Sequence, residues 1–113
     1  MINEDFNIVS ITDDSFEREV LKSPIPVLVV FGSESSGSTY ITLRQIEEVA
    51  REYEGRVKIR RVEASDNALT TKQFGIRQIP TLLFIRNGLV VDSITGTVRK
   101  RNVRAGIQSL LNE

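Results

Sequence analysis

The sequence predicts an α/β protein with a central mixed β-sheet and helices on both faces. Three observations lead to this fold class. Val27–Phe31 is a continuous apolar run, which is typical of a strand buried on both faces, as in a parallel sheet. Helical periodicity alternates with strand-like runs in the earlier part of the chain. Asn87-Gly88 then separates two strand-like runs, which indicates an antiparallel hairpin. The predicted order is βαβαβα followed by ββα.

The first strand and helix are predicted at the start of the chain. Ile8–Ile11 is a short apolar run with β-branched residues and predicts a strand. Thr12 is predicted to cap the helix that follows. Asp13 and Asp14 would lie in its first turn, where the helix dipole favours acidic side chains. Pro24 ends this helix, because proline cannot continue it.

A second helix is predicted after the buried strand. The loop Gly32–Thr39 is rich in Gly and Ser and leads into it, and Ser35 or Ser36 is suited to cap it. Gly55 is a natural end. The apolar side of this helix is predicted to consist of Ile41, Leu43, Ile46, Val49, Ala50 and Tyr53.

Val57–Val62 predicts the third strand, and it carries two arginines. Ser65 or Asp66 is predicted to cap a third helix that runs to about Phe74. Gly75 follows at its end, where glycine is the commonest residue.

The last three elements are a hairpin and a helix. Thr81–Ile85 and Leu89–Ile94 predict the two strands of the hairpin. Thr97 is predicted to cap the final helix. The residues predicted to pack that helix are Val98, Val103, Ile107, Leu110 and Leu111.

Composition limits the classes of function. The 113 residues are predicted to form one domain, 1–113. Fifteen basic and fifteen acidic residues give a net charge of zero. No net field therefore favours nucleic acid or an anionic membrane. No apolar run is long enough to cross a bilayer, and Met1–Asp5 lacks the features of a signal peptide. We expect a cytoplasmic protein without nucleic-acid or membrane partners.

The chain contains neither cysteine nor histidine. The absence of cysteine excludes disulfides, thiolate nucleophiles and Cys-ligated metals. The absence of histidine removes the usual general base and the commonest transition-metal ligand. We therefore expect no metal and no cofactor.

Three local segments lie in the order and at the separations of a known family. They are Ile11–Phe16, Phe74–Thr81, and Phe84–Gly88 followed by Gly96. From about Ile8 to Leu111 the sequence resembles the thioredoxin family. The resemblance implies the thioredoxin fold.

The resemblance also implies a site that lacks the two catalytic cysteines of the family. Thioredoxins carry Trp-Cys-Gly-Pro-Cys where this chain has Ser35–Thr39, so Ser36 takes the position of the nucleophilic cysteine and Thr39 that of the resolving cysteine. No catalytic residue is expected among Ser36, Gly37, Ser38 and Thr39. Ser36 either only caps the helix or also binds a thiol there, and Thr39 is expected to fill space.

Two further positions differ from the family pattern. The buried aspartate of thioredoxins falls on Val30, and its partner lysine falls on Arg61. Loss of the buried carboxylate is expected to stabilise the core. Arg61 cannot lose its proton, so it must reach solvent or another carboxylate, with Glu34 and Glu63 as candidates.

The resemblance implies a shallow groove and a cis peptide bond before Pro80. In thioredoxins this turn exposes backbone with which a bound peptide can pair. Gly32 stands where the family has the first loop tryptophan. The groove is predicted to comprise Gly32, Ser35, Ser36, Thr39, Arg77, Ile79, Pro80, Thr95 and Gly96.

These features suggest a redox-inactive, non-catalytic module that binds a protein or an unfolded polypeptide, as chaperone-type thioredoxin-like proteins do. The alternative is an enzyme that binds glutathione with Ser36 at the helix start, with Arg77 or Arg44 holding a carboxylate. A disulfide oxidoreductase role is not supported by a chain without cysteine.

Overall fold

A computed structural model of the chain describes residues 8–112, so the interpretation of Met1–Asp5 lies outside the described residues. The strands are β1 Val9–Ile11, β2 Val27–Gly32, β3 Lys58–Glu63, β4 Thr81–Arg86 and β5 Leu89–Thr95. The α-helices are α1 Gly37–Ala50, α2 Ala68–Gln73 and α3 Lys100–Leu111. Shorter helical turns are a π-helical turn, Glu17–Leu21, and the 3₁₀ turns Arg51–Tyr53 and Ala64–Asp66.

The five strands form one mixed sheet in the order β1-β3-β2-β4-β5. β3 runs parallel to both β1 and β2, whereas β4 is antiparallel to β2 and to β5. The predicted fold class is therefore confirmed. The register places Arg61 beside Val30 and Thr81 beside Phe31, so the end of β2 lies between the ends of its two neighbours.

β2 is the centre of the core, since all six of its residues are buried. Its side chains alternate between two clusters, as expected for a strand covered on both faces. On one face Leu28 and Val30 pack with α1 and α3, and on the other Val29 and Phe31 pack with Phe16, Val20 and the ring of Phe74.

The Asn87-Gly88 hairpin is confirmed. Arg86 pairs with Leu89, so Asn87 and Gly88 alone form the turn between β4 and β5. Their φ angles are 54° and 77°, and two positive values are what a type I′ turn requires. β5 is the edge of the sheet and is exposed over most of its length.

The predicted capping of the first helix by Thr12 is wrong. The helical region is only the short π-helical turn, and no side chain caps it. The Thr12 N–H instead donates to Ser15 Oγ at 3.0 Å. The Asp13 side chain does not bond to this turn. Its two carboxylate oxygens accept hydrogen bonds from the N–H groups of Thr70 and Leu69, at 2.8 and 3.2 Å.

Asp13 therefore caps α2, and the predicted caps Ser65 and Asp66 do not. Those two residues lie in a 3₁₀ turn that precedes Asn67, and no side-chain cap comes from Asn67 itself. The Asn67 side chain instead accepts the Asp13 N–H at 2.9 Å. Hydrogen bonds from Thr70 hold the pKa of Asp13 below its ordinary value, because they favour the ionised carboxylate.

Two details of the other helices also differ from the prediction. α3 begins at Lys100, and its N-cap position is occupied by Arg99, which forms no side-chain cap. Thr97 lies two residues too early to cap this helix. The sequence pattern predicts Ile41 on the apolar side of α1, but this residue is 52% exposed, and Thr42 is buried instead.

Ion pairs connect α3 to α1 and to the 3₁₀ turn that follows α1. Lys100 pairs with Glu48 of α1, and Arg104 forms a two-pronged pair with Glu52 of the 3₁₀ turn through Nε–Oε1 at 2.9 Å and Nη2–Oε2 at 2.6 Å. These two cations of the first turns of α3 thus have acidic partners. These bonds lower the pKa values of both glutamates.

Gly106 sets how closely α3 approaches the sheet. A Cβ at this position would lie no more than 2.8 Å from three ring atoms of Phe84, which is fully buried. We expect Gly106→Ala to lower the free energy of unfolding by about 1–2 kcal/mol, because overpacking outweighs the gain in helix propensity. Chemical denaturation measures this change. In a Phe84→Leu background the cost should shrink, and an equal cost in both backgrounds would contradict a steric cause.

Asp13→Asn tests the cap of α2. The folded pKa of Asp13 is depressed, so its contribution is complete above the unfolded pKa and is lost as pH falls through the folded value. We expect the variant to be less stable at neutral pH and to approach the wild type in acid. Thermal unfolding as a function of pH measures this, with the exposed Asp14→Asn as control. Parallel pH profiles for Asp13→Asn and the wild type would show that the carboxylate has no such role.

Candidate functional site

The site begins where the loop after β2 enters α1. Ser36 has an extended backbone, and its Oγ accepts the Thr39 N–H at 3.1 Å, so it is the N-cap of the helix. A hydrogen bond between the hydroxyl groups of Ser33 and Ser35, with the oxygens 3.0 Å apart, stabilises the loop. Ser36 is half-buried and Ser35 is exposed.

The first turn of α1 presents backbone donors to solvent. The Tyr40 N–H donates to Ser36 O at 3.1 Å, and the cap satisfies Thr39. The N–H groups of Gly37 and Ser38 form no hydrogen bond within residues 8–112, and both residues are exposed. The first turn contains no acidic side chain. These donors and the helix dipole make this end of α1 favourable for negative charge.

Thr39 lies behind this turn and is buried. Its Oγ1 accepts the Ser33 N–H at 3.2 Å and so ties the loop to the helix. A Cβ on Gly32 would lie within 2.8 Å of that oxygen. The absence of a side chain at Gly32 therefore lets Thr39 pack against the end of β2.

The turn before β4 lies across from this helix start. The Ile79–Pro80 peptide bond is cis, and Pro80 O accepts the Gly96 N–H at 2.8 Å. Thr81 Oγ1 donates to Gln78 O at 2.7 Å and closes the turn. Ile79 is 38% exposed, and its own N–H and C=O form no hydrogen bond with the described part of the chain.

The predicted groove residues do not share one depression. Gly32 and Thr39 line a cavity on the side of β3. Arg77 and Thr95 line a separate depression with Phe74, Leu83 and other residues. Ser35, Ser36, Ile79, Pro80 and Gly96 line neither of these two. The sheet joins the segments through the pairing of Phe31 with Thr81, and of Thr81 with Thr95.

Val30 and Arg61 lie side by side on neighbouring strands, as the register requires. Val30 is fully buried, but Arg61 Nε is also buried and has no hydrogen-bond partner among the described residues. Glu63, a candidate partner, accepts the Glu34 N–H at 3.0 Å and the Ser65 hydroxyl at 3.2 Å instead. No pattern in the sequence predicted that this nitrogen would be enclosed.

Metal-binding clusters and membrane-spanning helices are both absent from the described part of the chain. Within residues 8–112, no group of three or more His, Cys, Asp or Glu residues is arranged to hold a metal ion. The helices in that range are all too short or too polar to cross a membrane.

Comparisons with known proteins identify the family of the chain. The thioredoxin family model matches residues 7–109. The chain is similar to thioredoxin from Allochromatium vinosum, with 41% identity over 91% of this chain and 96% of the relative. It is also similar to thioredoxin 1 from a Nostoc species, with 36% identity over 89% and 94%, and to thioredoxin from Haemophilus influenzae, with 40% over 82% and 87%.

These relatives overturn the functional expectation drawn from the sequence. They are thioredoxins, which are disulfide oxidoreductases, and they match nearly the whole chain. The hypothesis of a non-catalytic binding or chaperone-type module is therefore wrong, and so is the glutathione-binding alternative. Both hypotheses gave the missing cysteines more weight than the similarity of the rest of the chain.

Two threonines of α1 provide a matched test of the packing behind the site. Thr42 Oγ1 is buried without a hydrogen-bond partner in the described residues, whereas Thr39 Oγ1 accepts the Ser33 N–H. We expect Thr42→Val to raise the free energy of unfolding by about 1 kcal/mol, and Thr39→Val to lower it by a similar amount. Chemical denaturation measures both. Changes of the same sign would contradict this assignment of partners.

Proposed function

Because the chain belongs to the thioredoxin family, we propose that it promotes disulfide exchange in protein substrates, and that the reacting sulfur atoms come from outside it. One sulfur pair is the disulfide of the substrate, and the other is a separate dithiol reductant. The lack of cysteine in the 113 residues means that the chain forms no mixed disulfide itself. Its part is to hold the reactants and to stabilise charge.

The start of α1 carries this proposal. Ser36 stands where thioredoxins have the attacking cysteine, and the exposed N–H groups of Gly37 and Ser38 lie next to it. In disulfide exchange, negative charge moves from the attacking thiolate to the leaving sulfur. Donors fixed at a helix N-terminus favour that charge without having to reorganise during the reaction.

The turn at Ile79 supplies the substrate-binding part. Its N–H and C=O are without partners among residues 8–112, and its side chain is partly exposed. An extended segment of a protein substrate can pair with this backbone as an added strand. The pairing of Phe31 with Thr81 keeps the turn beside the end of β2, from which the loop to α1 departs.

The exchange balances without any redox change in the chain. A thiolate of the dithiol attacks one sulfur of the substrate disulfide, a new S–S bond forms, and the other substrate sulfur leaves as a thiolate. The second thiol of the reductant then closes on the first and releases the reduced substrate. Stabilising the leaving thiolate by about 1 kcal/mol corresponds to about a fivefold faster exchange.

The proposed partners are proteins that carry an accessible disulfide. The proposed location is the cytoplasm, because reducing thiols are maintained there and disulfides are short-lived.

The experiment is to measure how fast dithiothreitol reduces insulin with and without the purified chain. We expect a saturable acceleration of about fivefold from the helix start alone. Ser36→Asp is the informative variant, since Asp is as good an N-cap as Ser but places a negative charge at the proposed thiolate position. It should abolish the acceleration.

Ser109→Asp on the exposed side of α3 is the matched control, because it adds the same charge far along the chain from α1. It should accelerate exchange as the wild type does. A rate unchanged by the wild-type chain would refute the proposed function. Equal rates for Ser36→Asp and the wild type would refute the role of the helix start.

A further inference from the structure

The most unusual feature outside the proposed exchange site is a half-buried arginine, Arg61, whose Nε is enclosed without a hydrogen bond in the described part of the chain. Arg61 Nε is buried and has no hydrogen-bond partner among the described residues. An arginine stays charged in proteins, so it cannot relieve this by losing its proton. A buried donor without an acceptor is unfavourable, and more so when the group is charged.

Arg61 lines a cavity of about 40 Å³ between β3, β2 and the start of α1. This volume exceeds what a single water molecule needs and is of the size of a group of a few heavy atoms. Apolar walls come from Val30, Leu43 and Val62. Three residues that carry hydroxyl groups, Ser10, Ser33 and Tyr40, also line it.

We infer that this cavity is a binding site for a carboxylate group, with the Arg61 guanidinium as its anchor. The guanidinium is planar and presents parallel N–H donors that match the two oxygens of a carboxylate. Hydroxyl groups can donate to the same oxygens. The site does not depend on the disulfide exchange proposed above.

Two acidic side chains also line the cavity, and they bear on its selectivity. Glu63 directs its two oxygens to the Glu34 N–H and the Ser65 hydroxyl, so it is already engaged. Glu34 lies in the exposed loop, where solvent screens its charge. Their negative charge opposes any anion, and it opposes a ligand with several negative charges more strongly than a monocarboxylate.

Val30 makes the site possible. Val30 lies beside Arg61 in the strand register. A carboxylate side chain at this position would be placed to pair with the Arg61 guanidinium. With valine there, the wall is apolar, and the counter-ion has to come from another molecule. A small organic acid and an acidic side chain of a peptide share the required chemistry.

The test is an NMR titration that follows the Nε–Hε signal of Arg61. The probes are sodium acetate and a capped peptide Gly-Gly-Asp-Gly-Gly, with acetamide and the corresponding Asn peptide as neutral controls. We expect a saturable shift of this signal with a carboxylate probe and none with its neutral control. The probe that saturates at the lower concentration identifies the source.

Variants separate binding at Arg61 from a general ionic effect. In Arg61→Gln, the shifts of the Ser10 and Ser33 amides caused by the probe should disappear, whereas in Arg101→Gln, at an exposed arginine, they should persist. Val30→Asp supplies an internal carboxylate and should also abolish them. The inference fails if neither carboxylate gives a saturable shift, or if the shifts survive in Arg61→Gln or in Val30→Asp.

Discussion

The structure depends on one constraint, which is that β2 is buried along its entire length. A strand covered on both faces must be apolar on both, and it must have its backbone paired on both edges. β3 and β4 provide that pairing, one parallel and one antiparallel. The two side-chain clusters and the position of the loop into α1 follow from this strand.

The same constraint explains why the site has its present electrostatics. Val30 keeps β2 free of charge, so the core pays no desolvation cost at that position. The adjoining strand nevertheless carries Arg61, which lines the same cavity as Val30. The site thus combines a helix start without acidic side chains and a buried arginine Nε without a hydrogen-bond partner among the described residues. Both features favour negative charge supplied by another molecule.

Local patterns predicted much of this fold. The apolar run of β2, the Asn87-Gly88 turn and the Ser cap of α1 each depend on neighbouring residues, and the structure contains all three. The cap of α2 was missed because its carboxylate, on Asp13, is more than fifty residues away in sequence. The exposure of Ile41 and the enclosure of Arg61 were missed for a similar reason, since both depend on which elements pack nearby.

The long-range cap has a consequence for how the molecule opens. α2 has only six residues, too few to persist alone in water, and two of its first N–H groups depend on a carboxylate just after β1. Detaching β1 from the edge of the sheet removes that carboxylate as well. We therefore expect β1 and α2 to open as one cooperative unit, with amide protons that exchange with solvent together rather than independently.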